Sequence, residues 1–260
     1  MDEELQESAL KSLDGTSTEL LKFIPYLLQD LWELGSSSKK TIKMIYENEV
    51  HKQFAKLRIL DLGCGKGGIS IPIAKEFNAE IFGIDAIPDF IVEANRIAKE
   101  WGVENFCKYV NSDIRKEVTT LKDFNFILHS SIGQILGSYR ETLNVLEKCL
   151  VPGGFLFLDE AYLLDDCKSE NDVYVIKSEF YEQINKSNFK VIDKRIGSKD
   201  EMEKLNELFF RKIEQRAGEL CRKYPEKKDL FNNYLKEQME ENNILENDVE
   251  NVSLLLRLKD

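Results

Sequence analysis

The residues Asp61-Leu-Gly63-Cys-Gly65-Lys-Gly67-Gly68 follow an apolar run and set an acid ahead of four glycines in six positions. Glycine lets a backbone approach a ligand closely and take dihedral angles closed to other residues. A helix-like segment follows, and the start of a helix offers unpaired N–H groups and positive potential. A second acid, Asp85, closes Glu80-Ile-Phe-Gly-Ile-Asp85. An acid at the end of the next strand can accept two hydrogen bonds from ribose hydroxyls, so the pairing predicts a nucleoside site. Four further groups carry chemistry: Asp113, His129, the pair Asp159-Glu160, and Tyr162. His129 ends the strand-like run Asp123 to His129 and is the candidate general base, because histidine's unperturbed pKa of about 6.5 suits proton transfer near neutrality. The alternative is a histidine that only hydrogen-bonds in the core. Asp159, Glu160 and Tyr162 reach the same edge and could orient a polar or cationic ligand, or form a solvated strand end. His51 precedes the first strand and reads as structural.

The elements that must position these residues alternate. Strands are expected at 57–62, 80–84, 106–110, 123–129, 154–160 and 189–196. Helices are expected at 67–77, 88–101, 115–121, 133–150 and 172–187, with a loop at 163–171. Such alternation makes a parallel sheet with helices on both faces. Residues 1–17 are polar and expected to fray at their start. Apolar residues at 20, 21, 24, 27, 28, 31 and 34 form a helical stripe over 18–34 that Pro25 should kink or split. A second helix is expected at 39–54. Residues 199–243 carry two apolar faces separated by Pro225, a helical hairpin placed before a last strand at 249–258. The expected organisation is an N-terminal helical cap (1–54), a core (55–198), a helical insertion (199–246) and the core's final strand (247–260).

Gly63-x-Gly65-x-x-Gly68 formally satisfies the dinucleotide fingerprint, with Asp85 as its ribose acid. The residues taken alone therefore admit an NAD(P)-dependent oxidoreductase. They also admit plain capping: Asp61 of the turn, Asp85 of the helix near Pro88, Asp113 of the short helix at 115–121. The wider pattern resembles the class I S-adenosylmethionine-dependent methyltransferases. The resemblance rests on Asp61-x-Gly63-x-Gly65-x-Gly67, Gly83-Ile-Asp85, Asn111-Ser-Asp113 and Leu150-Val-Pro-Gly-Gly154 ahead of Phe155-Leu-Phe-Leu158. These four motifs lie in the family's order across residues 55–160. The resemblance implies an α/β three-layer sandwich whose seven-stranded, mostly parallel sheet has an antiparallel last strand, with the N-terminal helices and the helical insertion added to it. It implies S-adenosylmethionine as cofactor. Asp61, Gly63 and Gly65 would face the methionine moiety, Asp85 the ribose, Ala86 and Ile87 the adenine faces, and Asp113 with Ile114 the adenine edge. A cationic cofactor without phosphate suits these acids, whereas a pyrophosphate beside Asp61 would be repelled. The end of the fourth strand departs from the Asn/Asp-Pro-Pro-Tyr pattern of enzymes that methylate amino groups on bases or glutamine. The reaction implied is in-line displacement of the sulfonium methyl by a small-molecule acceptor. A non-catalytic protein that binds the same nucleoside as a signal is the remaining alternative. By analogy with the family the added helices roof the acceptor pocket, with Tyr26 and Trp32 as possible walls, or they pack across a homodimer interface.

Composition narrows the partners. The 260 residues hold 36 Lys and Arg against 47 Asp and Glu, a formal charge of −11. That charge repels phosphate backbones, so nucleic acid is an unfavoured partner. No apolar run approaches the 18 or so residues of a membrane span, and the acidic start Met1-Asp-Glu-Glu is unlike a signal peptide. Five cysteines without a CxxC pair argue for a reduced cytoplasm, and with only His51 and His129 to add nitrogen ligands no metal is expected.

Overall fold

The computed structural model describes residues 3–167 and 173–259. Seven strands form one sheet: β1 (Arg58–Leu62), β2 (Glu80–Asp85), β3 (Cys107–Asn111), β4 (Phe124–Ser130), β5 (Leu150–Leu163), β6 (Phe189–Ile196) and β7 (Val249–Leu258). Their order is β3-β2-β1-β4-β5-β7-β6, and β7 runs antiparallel to both its neighbours. This is the expected mostly parallel sheet with an antiparallel last strand. Chain direction across the sheet reverses between β1 and β4, and in open α/β sheets ligands bind outside the carboxyl ends at such a point.

Helices flank the sheet. In chain order they are α1 (Glu3–Lys11), α2 (Ile24–Leu27), α3 (Ser38–Glu47), α4 (Val50–Gln53), α5 (Ser70–Phe77), α6 (Pro88–Glu100), α7 (Ile114–Glu117), α8 (Tyr139–Leu146), α9 (Lys177–Asn185), α10 (Lys199–Lys223) and α11 (Lys228–Asn247). Strand side chains alternate between faces. Ile59, Phe126, Leu128, Phe155 and Phe157 pack with Met44, Ile71 and Ala94 on one face. Leu60, Ile127, Leu156 and Leu158 pack with Leu143, Leu146 and Phe180 on the other. A third core lies off the sheet, where Leu20, Phe23, Ile24 and Leu27 meet Ile213, Leu220, Phe231 and Tyr234, together with Ile87 and Phe90. The hairpin of α10 and α11 therefore packs on the N-terminal cap.

Three elements differ in detail from their expected spans. Within the polar residues 1–17, α1 is helical and buries Leu5, Ala9 and Leu10. The stripe over 18–34 is split at Pro25 as expected, into a 3₁₀ turn (Thr18–Lys22) and the single turn of α2, because Pro25 lacks an N–H and is tolerated only in a helix's first turn, and the helical part ends at Leu27. The stripe's function survives the break, since Leu20, Ile24, Leu27, Leu28 and Leu31 are all buried. The helix expected at 133–150 begins only at Tyr139. Gly133 and Gly137 hold left-handed φ values of 63° and 89°, and Ser138 with Glu141 forms a reciprocal capping box. Residues 168–172 of the expected loop and helix lie outside the described residues. No helix among the described residues is long and apolar enough to cross a membrane.

Candidate active site

Beyond β1 the chain turns sharply, with Gly63, Gly65 and Gly67 at φ 66°, 51° and 74°. These left-handed values suit glycine and would strain any other residue. The turn, the ends of β2 and β4, and the N-terminal cap enclose a cavity. Its walls include Asp61, Gly63, Gly65, Asp85, Ala86, Ile87 and Ile114. Seven of the eight expected cofactor residues thus converge on one space. Leu5, Ala9 and Leu13 from the cap, Trp32 and Leu34 from the segment before α3, and Ile132 and Ile135 after β4 complete the apolar wall.

Asp61 is buried, and its Oδ2 has no hydrogen-bond partner. Burial pushes its carboxyl up to about 7; the nearby Ser70 hydroxyl counters this and the Asp85 charge adds to it. An uncompensated buried carboxyl facing a cavity is costly unless a donor or cation meets it there. Asp85 is tied down. Its Oδ2 accepts from the Gly65 N–H at 2.8 Å and its Oδ1 from the Ile87 N–H at 2.8 Å. The carboxylate thus clamps the glycine turn to the end of β2, and each oxygen keeps a lone pair. Burial raises its pKa to about 6 against the pull of these amides.

Asp113 is the expected cofactor residue that stands apart from the cavity. It caps α7 by accepting from the Arg115 N–H at 2.9 Å, and the Arg115 guanidinium binds both its oxygens. The capping alternative describes its contacts, and Ile114 is the residue that reaches the wall. His129 is likewise absent from the wall. Its ring is fully buried, on the face of the sheet opposite Leu128, with Nδ1 3.1 Å from Glu160 Oε1. The approach is close but not aligned as a hydrogen bond, and both ring nitrogens and Glu160 Oε1 lack partners. The position gives no route for His129 to touch a molecule in the cavity, so the general-base expectation loses its geometric basis. Ser130 and Ser131, the next two residues, do line it.

Asp159 is a structural tie rather than a ligand group. Its carboxylate accepts from Ser36 and Ser253 and from Lys40 Nζ at 3.2 Å, pinning the segment before α3 to β5 and β7. Tyr162 is buried and donates to Glu250. Trp32 lines the glycine-turn cavity, whereas Tyr26 is 39% exposed on another face, bonded to Glu219. His51 packs between Tyr46 and Phe77.

Sequence reading missed Lys66, the cation in the wall among the described residues. Its Nζ donates to the Leu28 carbonyl at 2.7 Å, and burial lowers its pKa to about 8. It also missed α1, whose apolar residues at 5, 9 and 13 follow helical spacing within a short polar segment. Among the described residues no group of three or more His, Cys, Asp or Glu is placed to hold a metal ion.

Comparison with known proteins agrees with this arrangement. Over 139 residues the chain is 31% identical to the ubiquinone biosynthesis O-methyltransferase of Rickettsia conorii, covering 50% of this chain and 46% of that protein. A 63-residue stretch is 36% identical to a 23S rRNA (uracil(1939)-C(5))-methyltransferase of Shewanella sediminis, 23% of this chain and 14% of that one. The chain thus spans less than half the length of either curated relative. The fold superposes on an S-adenosylmethionine-dependent methyltransferase of Geobacter sulfurreducens, solved with S-adenosyl-L-homocysteine, with a TM-score of 0.75. That match covers 92% of this chain and 98% of the other at 15% identity, a likeness of fold. Residues 53–244 match the model of the methyltransferase domain family. The chain belongs to the S-adenosylmethionine-dependent methyltransferases.

Proposed function

We propose that this methyltransferase acts on a small-molecule acceptor, with the glycine-turn cavity as its cofactor site. The observation that carries the cofactor assignment is Asp61 Oδ2, buried and unpartnered at the cavity wall. The ammonium of a methionine moiety would satisfy it, and a pyrophosphate would not. S-adenosylmethionine, when bound, supplies an electrophilic methyl group on a sulfonium. The chain's residues hold and shield it. Asp61 meets the ammonium, the backbone at Gly63 and Gly65 follows the methionine chain, and Asp85 accepts from the ribose hydroxyls. Ala86, Ile87 and Ile114 bracket the adenine, while Asp113 fixes the start of α7 and so positions Ile114. Leu5, Ala9, Leu13 and Trp32 exclude water from above. Placement at about 3–3.5 Å between reacting atoms supplies much of such an enzyme's acceleration, so a shielded, pre-shaped site suffices without a base.

A small acceptor is supported by the roof that α1 and residues 32–34 lay over the cavity, and by the charge of −11, which disfavours RNA. The test is ligand-dependent melting. S-adenosylhomocysteine at 100 times its dissociation constant should stabilise by about 2.7 kcal/mol, and Asp85→Ala should abolish the response. A shift with NAD alone would refute the cofactor assignment. Release of S-adenosylhomocysteine with a ribosomal RNA fragment, and with no member of a metabolite panel, would refute the small-molecule acceptor.

A further inference from the structure

Ser130, the last residue of β4, carries a hydroxyl that no described residue satisfies. Its Oγ is buried without a hydrogen-bond partner among the described residues, and the residue lines the cofactor cavity. Leu128 pairs with Asp61 across β4 and β1, and side chains two apart in a strand share a face. Ser130 therefore lies on the face of Asp61, about 6.6 Å farther along the strand direction. His129, between Leu128 and Ser130, turns to the opposite face.

In the cofactor placement above, this end of the cavity takes the methionine moiety. A Cβ at Gly63 would stand 2.3 Å from Ile132 Cγ2, and one at Gly65 3.5 Å from Leu34 Cδ1. Ile132 and Leu34 thus lie against the two glycines given to the methionine chain. Their neighbours abut as well: a Cβ at Gly35 would stand 2.9 Å from the Ser131 Cβ. Ser131 holds a left-handed φ of 54°, and its N–H donates to the Asp159 carbonyl at 2.9 Å. A residue other than glycine keeps such a conformation where its surroundings impose it. The segment after β4 is thereby folded over the glycine turn.

Apart from the two acids given to the cofactor, the other polar side chains of the wall are engaged. Glu33 Oε1 accepts from the Ser38 N–H at 2.9 Å, and Lys66 Nζ donates to the Leu28 carbonyl at 2.7 Å. The Ser12 hydroxyl donates to the Ala9 carbonyl at 3.0 Å, Trp32 Nε1 to that of Lys66 at 3.4 Å, and the Cys64 thiol to that of Gly65. Ser131 Oγ lies 3.4 Å from Ser36 Oγ. A charged acceptor would thus be desolvated here with no counter-charge left for it among the described residues, at a large cost. An anion would also meet the acids Asp61, Asp85 and Glu33, and a cation would stand beside the sulfonium charge of the methyl donor. We infer that the acceptor is an uncharged, largely apolar molecule, packed against Leu34, Ile132 and Ile135 and fixed by one hydrogen bond to Ser130 Oγ. The inference rests on the methyltransferase reading and adds the chemical class of its acceptor.

The experiment is calorimetric titration of the full chain, saturated with S-adenosylhomocysteine, with probes that share a phenol and differ in charge: para-ethylphenol, tyramine and para-hydroxyphenylacetate. The neutral para-ethylphenol should bind, and each charged probe at least about tenfold more weakly. Ser130→Ala should weaken para-ethylphenol by about five- to tenfold, the loss of one hydrogen bond, and leave the affinity for S-adenosylhomocysteine in place. Ile132→Asp, which sets an acid into the apolar wall, should turn the preference to tyramine. Absence of para-ethylphenol binding, tighter binding of either charged probe to the unsubstituted chain, or para-ethylphenol binding unchanged in Ser130→Ala overturns the inference. An equal loss of S-adenosylhomocysteine affinity in Ser130→Ala would also overturn it, by placing the hydroxyl on the cofactor. Failure of S-adenosylhomocysteine to bind the unsubstituted chain would instead remove the methyltransferase reading beneath it.

Discussion

Asp61 joins stability and binding in one carboxyl group. Its pKa of about 7 in the fold stands above its usual value of 3.8, with burial as the main cause. Between those two values the folded chain keeps a proton that the unfolded chain has released. The stabilisation linked to that proton is complete below the usual value and is lost as pH rises through about 7. Ionised Asp61 therefore destabilises the ligand-free protein at neutral pH, by roughly 4 kcal/mol at most for a shift of this size. Asp85, raised to about 6, acts with the same sign over a narrower window. Asp61→Asn should melt higher than the unsubstituted chain, by more at pH 8 than at pH 5. The same variant should lose at least tenfold in affinity for S-adenosylhomocysteine, because the ammonium loses its partner. In the unsubstituted chain that affinity should rise between pH 5 and 8 as the carboxyl ionises. Calorimetric titration across this range checks both, and a flat profile would show that Asp61 does not meet the ammonium.

At the scale of elements, the glycine turn is shaped by what lies on top of it as much as by what it binds. A Cβ at Gly68 would stand 2.6 Å from the Trp32 carbonyl oxygen and 3.0 Å from the Glu33 Cα. Both are backbone atoms, so no side-chain rotation relieves the clash. Gly68→Ala should push residues 32–34 off the turn, costing about 1–3 kcal/mol and weakening cofactor binding with it. Gly218, inside α10, makes the contrast: its nearest neighbour to a Cβ is the flexible end of Arg222 at 3.7 Å. Gly218→Ala should raise stability by about 0.5–1 kcal/mol, since alanine loses less backbone freedom in a helix. Chemical denaturation of the pair separates a steric glycine from an incidental one. The contrast also marks what was legible in the sequence. The turn, Asp61 and Asp85 could be read because strand, acid, glycines and helix follow one another along the chain. Gly68 could be read only as part of a motif, because the backbone it admits comes from a separate segment. His129 was misplaced for a related reason. Its chain position put it at the ligand edge, but strand alternation turns its ring toward the face of Leu60 and Leu158, where Glu160 waits.

The whole molecule is two cores on the sheet and one beside it, and the third decides whether the cavity has a roof. That third core joins the cap to a hairpin some 200 residues later in the chain, a pairing that neither segment's periodicity announces. Phe231 sits at its centre, fully buried, with its ring edge-on to Phe23 at 5.0 Å and 87°. Ile87 and Phe90, which line the cavity, belong to the same cluster. The hairpin's covalent links to the sheet are β6 before α10 and β7 after α11, and the two strands are paired with each other, β7 also with β5. Loosening the third core should therefore open the site while leaving the sheet folded. Phe231→Ala, a deletion that typically costs about 3–5 kcal/mol in a core, is the direct probe. Hydrogen exchange should quicken at residues 3–34 and 205–240 and stay near its original rate in β1, β4 and β5. S-adenosylhomocysteine should bind more weakly and, once bound, should restore part of the lost protection, because the ligand favours the closed roof. Uniformly faster exchange across β1, β4 and β5 would mean that the three cores melt as one unit and that the roof has no independent stability.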